Sequence, residues 1–169
     1  MLRGFGRLSS VAVLVLGLAL AAALSSCASK TDDGMSMAPA NGVVRVKSGY
    51  DMAETIARLK ADVADKGITF FQEINQSELA STADIQLRPS TLLVFGNPPL
   101  GTQFLTSNPE SGLDWPVRLL VFEDADGQVW AAYTDFEYIR RRHGITDRDA
   151  QFKMASEVIA SITSTVKAP

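Results

Sequence analysis

Nucleophilic catalysis needs a base beside the nucleophile, and this chain offers one imidazole. His143 is the only histidine and Cys27 the only cysteine among 169 residues. A catalytic triad therefore has a single candidate base, and a zinc site lacks the thiolates and imidazoles it usually takes. His143 closes the run Arg140-Arg141-Arg142-His143-Gly144. Bases ahead of a helix-ending glycine complement the helix dipole with no further role, and an anion site for phosphate or a lipid head group is the functional alternative. Asp124 and Asp126 stand in Glu123-Asp124-Ala125-Asp126-Gly127, where aspartates and glycine serve a turn. Calcium would ask for more oxygen ligands at regular spacing. Met35 and Met37 suit a soft metal but lack a third thioether or an imidazole nearby. Gly96-Asn97-Pro98-Pro99 is too rich in proline to present a row of backbone N–H groups to a phosphate, and is expected to be a rigid turn closing a strand. No residue is assigned as catalytic, cofactor-binding or metal-ligating. Asn97, Thr102, Trp115 and Arg118 remain as candidates to rim a small-molecule pocket, on a long loop expected over 96–116.

Cys27 has another chemistry open to it. Arg3 and Arg7 precede an unbroken apolar run, Val11 to Leu24, and the first acidic residue is Asp32. Fourteen residues fall short of the roughly 20 a membrane-spanning helix needs. A basic flank, a short apolar core and then small residues form a secretory signal. Leu24-Ser25-Ser26-Cys27 resembles the lipobox of bacterial lipoproteins. That resemblance implies a diacylglyceryl group thioether-linked to Cys27, cleavage between Ser26 and Cys27, and a fatty acyl chain such as palmitate on the new amine. Two or three chains anchor stably where one is marginal. Ala28, rather than Asp, follows the cysteine; by the same resemblance this implies the periplasmic face of the outer membrane in a Gram-negative cell. Residues 1–26 then read as the lipoprotein signal and 27–42 as the lipidated N-terminus with a flexible tether. The mean hydropathy of +0.08 owes its positive sign to the apolar front of the chain.

Residues 43–166 read as one α+β domain. A strand at Val43–Lys47 leads to a helix capped by Asp51 with Glu54 three residues on. Met52, Ile56, Leu59 and Val63 fall on one face of it, and Gly67 ends it. Ile68–Ile74 and Thr91–Phe95 are strands, with a short helical turn at Ser77–Ala83 between them. Val117–Phe122 and Gln128–Thr134 form a hairpin. Asp135–His143 is a short helix, and Thr146-Asp147-Arg148-Asp149 is expected to cap a last helix bearing Phe152, Ala155, Ile159, Ile162 and Val166. The order is strand, helix, four strands, helix: an antiparallel sheet with helices on one face. The sheet poses a question, because both of its faces are apolar. Val117, Leu119, Val121, Val129 and Tyr133 line one, while Leu120, Phe122 and Trp130 line the other. Homodimerisation through the second face, coverage by the 96–116 loop, or a hydrophobic ligand groove would each account for it. Nucleic acid is not an expected partner at a net charge of −3.

Phe95-Gly96-Asn97-Pro98, Gly101-Thr102, Gly112-Leu113-Asp114-Trp115-Pro116-Val117-Arg118, Glu123-Asp124 and Asp126-Gly127-Gln128-Val129 together resemble the domain-of-unknown-function 302 family. The resemblance covers 43–166 and implies a TATA-binding-protein-like α+β fold. It implies no activity. Many relatives carry Asp-His after the second strand where this chain has Asn75-Gln76. Amides exchange hydrogen bonds but do not titrate, so acid–base or metal chemistry at that pair is not expected here. The domain is expected to act as a lipid-anchored binding or interaction module, with carriage of a small apolar ligand as the alternative and an enzymatic role third.

Overall fold

A computed structural model of the chain describes residues 40–168. The signal, Ser26, Cys27 and the tether up to residue 39 lie outside the described residues. The elements follow in the order β1 (Val43–Lys47), α1 (Met52–Asp65), β2 (Thr69–Asn75), α2 (Gln76–Ser81), β3 (Ser90–Gly96), α3 (Pro98–Ser107), β4 (Val117–Glu123), β5 (Val129–Thr134), α4 (Phe136–Arg142) and α5 (Asp149–Ser164). All neighbouring strands pair antiparallel, in the order β1-β5-β4-β3-β2. The protein is α+β, as its hairpin-rich order predicts.

One sheet face carries the core. Leu93, Leu119, Val121 and Ala131 are almost wholly buried there, beneath Leu59 and Val63 of α1 and Phe152, Ile159 and Ile162 of α5. The α1 stripe differs from its expected set at one turn. Thr55 is fully buried while Met52 and Ile56 are only half-buried, because the Thr55 hydroxyl finds a buried partner in Ser48 at 2.6 Å. A satisfied hydroxyl costs little inside a core. The expected cap of α5 is also corrected. Its N-cap is Arg148, which makes no side-chain cap. Asp147 instead accepts from the Ser107 hydroxyl and pairs with Arg148, and those contacts, the Ser107 bond foremost, hold its carboxyl below the usual range.

The 96–116 segment is not a long loop. It contains α3 and a 3-10 turn, Pro109–Leu113. Asn97 caps α3 by accepting from the Leu100 N–H, and Pro98 and Pro99 occupy its first positions. Proline is favoured there because those N–H groups have no partner inside the helix. The prolines that argue for a turn are in fact a helix start. This segment packs on the core side, against α5, so it does not cover the other sheet face.

Candidate functional site

Three features outside the plain core are candidates for chemistry or recognition: an ionic cluster around a buried carboxylate, an apolar cavity and the sheet face opposite the core.

The cluster centres on Asp114. The 3-10 turn stacks residues three apart, so Asn108, Ser111 and Asp114 fall on one side of it. The Asp114 Oδ2 lies 2.7 Å from His143 Nε2, with the two side chains only 3% and 4% exposed. Arg142 reaches the same carboxylate at 3.1 Å and Arg118 at 3.2 Å, while the Asn108 amide donates to the His143 carbonyl at 2.8 Å. Arg118 also donates to the Leu113 carbonyl. The row of bases ending α4 is thus largely spoken for: Arg140 pairs with Glu137 and Asp149, and Arg142 and His143 with Asp114. No nucleophile bonds to the imidazole among the described residues, and the Ser111 hydroxyl, although buried, has no partner there. The cluster ties the segment before β4 to the end of α4. Sequence reasoning passed over Asp114; a lone acid beside an aromatic, with all the histidine elsewhere, gives no local signal.

The cavity has a volume of about 40 Å³ and lies between β3, β4, α3 and α5. Phe95, Val117, Leu100, Phe104, Ile159 and Ile162 supply most of its apolar wall, and Trp115 and Asn97 lie at its rim. Two of the four pocket candidates are therefore brought together and two are not. Thr102 is exposed on α3, its hydroxyl donating to the Pro98 carbonyl at 2.7 Å. Arg118 belongs to the Asp114 cluster. The two have different causes: once 98–107 coils into a helix, Thr102 turns away from the wall, whereas Arg118 follows the lining residue Val117 along β4 and so points to the opposite face of the sheet. Gly101 makes the closure feasible. A Cβ there would come within 1.6 Å of the Trp115 Nε1, and one on Gly96 within 3.2 Å.

The face opposite the core runs across half-buried Ile74, Leu92, Leu120, Phe122 and Trp130 and buried Ala132, which the strand registers align in adjacent rows. Arg45 of β1 lies 5.5 Å over the Phe122 ring. Leu87, Arg88 and Pro89 border a cleft of about 570 Å³ floored by Leu120 and Phe122. Leu79, Ile85 and Leu87 are 59%, 59% and 49% exposed. Asn75 and Gln76 take structural roles at this end of the sheet: Asn75 caps α2, and Gln76 accepts from the Ser90 hydroxyl at 2.7 Å. At the other end of the face, the Trp130 indole donates to Asp124 at 2.7 Å. That bond first, and the Gln128 backbone N–H second, hold the Asp124 carboxyl below its usual range. Asp124 serves the turn, as its setting predicts, its carboxylate accepting from the Asp126 and Gln128 backbone N–H groups.

The model of the Domain of unknown function DUF302 family matches residues 44–168. The chain belongs to this family. A crystal structure of an uncharacterised DUF302 protein from Bacillus stearothermophilus superposes with a TM-score of 0.68 at 16% identity, over 75% of this chain and 98% of that one. At that identity the likeness speaks for the DUF302 fold alone. Curated relatives include proteins named fluoride-specific ion channel FluC 1 in Brucella suis and Brucella abortus, each 35% identical over 105 residues. The match takes in 62% of this chain but 41% and 39% of those proteins, so the chain spans about two fifths of their length. Among the described residues no helix is long and apolar enough to cross a membrane.

Proposed function

We propose that this DUF302 protein is a membrane-anchored interaction module of the cell envelope, acting through its open sheet face on a second copy of itself. The observation that carries the reading is the apolar run from Ile74 through Leu92 and Leu120 to Ala132, with no helix over it among the described residues. An antiparallel sheet covered on one side normally turns polar residues outward, and a contiguous apolar patch rimmed by charge marks a partner surface. Here Arg45 and Lys47 on β1 form one rim. The Glu78-bearing α2 lies beyond the opposite edge. Use of the same face by both copies makes the interface isologous, closed by a two-fold axis.

The anchor is the lipid on Cys27, left by cleavage after Ser26, and the outer membrane is the favoured site in a Gram-negative cell. Diacylglyceryl and acyl chains are the only groups we propose to be attached. The Brucella relatives bear the name of ion channels, which act in membranes; that supports a membrane-side setting for the domain. Fluoride conduction stays with those proteins.

Sedimentation equilibrium of residues 40–168 tests the pairing. Self-association is expected to rise with concentration and to be lost in Leu120→Glu but kept in Met154→Glu, on exposed α5. A wild-type domain that stays monomeric at the highest concentration it tolerates contradicts the proposal.

A further inference from the structure

We propose that the cavity behind Trp115 binds a small nonpolar molecule of a few heavy atoms, with Trp115 and Phe71 as its lid. The space, about 40 Å³, exceeds the roughly 10–15 Å³ that one water needs, yet a stable buried water also needs two to four polar partners. Only Asn97 and Trp115 among the lining side chains carry a polar atom, and the Asn97 oxygen is engaged in capping α3. Water is a poor occupant. An upper bound on size follows from engineered apolar cavities, where about 150 Å³ accommodates benzene. The occupant here is smaller than a benzene ring and nonpolar.

The lid is built rather than incidental. The β2–β3 register slips between Phe70 and Gln72, so Phe71 is an extra residue in the strand. Such bulges re-aim side chains. Phe71 remains 46% exposed and meets Trp115 edge to face, with ring centroids 6.2 Å apart and planes at 76°. On its inner side the indole lies against Gly101, whose missing Cβ leaves the room it occupies. Asp114, held by His143, Arg142 and Arg118, fixes the backbone just before it. Side-chain rotation of Trp115 therefore widens the mouth of the cavity while the backbone stays in place.

Xenon is a suitable probe: nonpolar, small and without hydrogen-bonding capacity. In methyl-labelled full-length chain in detergent, rising xenon pressure is expected to give saturable shifts at Ile68, Leu100, Val117, Val158, Ile159 and Ile162. The methyls of Leu92 and Leu120, on the other face, should stay at rest. Val158→Phe should abolish the shifts by filling the space, and Phe71→Ala should speed xenon exchange several-fold. Unmoved lining methyls, shifts that do not saturate, or equal shifts at Leu92 and Leu120 overturn the site, and those readings on the unaltered chain need no variant to fold. An exchange rate indifferent to Phe71→Ala overturns the lid.

Discussion

At the scale of single residues, Asp114 ties the segment before β4 to both β4 and the end of α4. Its carboxylate is buried and meets the guanidinium groups of Arg118 and Arg142 and the His143 ring. Removing it returns the half-exposed arginines to water but leaves the buried His143 ring nitrogen unpaired, which typically costs about 1–3 kcal/mol. Asp114→Ala is expected to lose that much in urea unfolding. Ser111→Ala should be neutral or slightly stabilising, since it deletes a buried hydroxyl that has no partner among the described residues. A large loss on Ser111→Ala would mean that the hydroxyl has a use the fold does not reveal. Asp124 supplies a pH prediction. Its carboxyl titrates below the ordinary value because the charged form accepts from Trp130 and the turn backbone. A depressed value stabilises the fold above the unfolded carboxylate range, near 3.9. That contribution is lost as pH falls through the lower folded value. Asp124→Asn should therefore flatten the acid limb of stability, read by Trp130 fluorescence, and an unchanged limb would contradict it. The sequence shows Asp124 as a turn residue from its neighbours alone. It does not show Asp114 meeting His143, because 29 residues separate them and only the packing of α4 against the 3-10 turn brings them together.

At the scale of elements, alternation and three-four spacing are local properties, and they disclose β1, α1, β3, β4, β5 and α5 directly. The 96–116 segment is where local reading fails. Pro98-Pro99 breaks a helix if it lies inside one and starts a helix if an N-cap precedes it; Asn97 supplies the cap. The α5 start fails in the opposite sense. Thr146 to Asp149 has the residue types of a capping box, but Asp147 is drawn to Ser107 across the fold, a competition no local pattern encodes. The α3–Trp115 contact makes the sharpest prediction for an element. Gly101→Ala places a methyl inside the indole's volume, and forced overpacking costs about 1–3 kcal/mol. Thermal unfolding should fall accordingly. Gly67→Ala is the control for glycine replacement at large: nothing stands near its missing Cβ, so its loss reflects backbone strain at positive φ alone. Equal behaviour of the enclosed Trp115 ring in both variants, by near-ultraviolet dichroism, would argue against the close contact.

At the scale of the whole molecule, the domain has one face committed to its helices and one apolar face left open. Both faces are legible from strand alternation. Which of the two the helices cover, and that the 96–116 segment leaves the other bare, is not, because it depends on where α3 packs. Two copies are expected to close this face against each other while a lipid on Cys27 holds them at a membrane. Spin labels report the pairing directly. With Cys27 replaced by Ser, a label at Gln72→Cys, on the rim of the open face, should give a well-defined intermolecular distance in pulsed dipolar measurements. A label at Lys153→Cys, on α5, should give a longer one. No dipolar coupling between copies at Gln72→Cys, or a shorter distance at Lys153→Cys, would contradict pairing through the sheet.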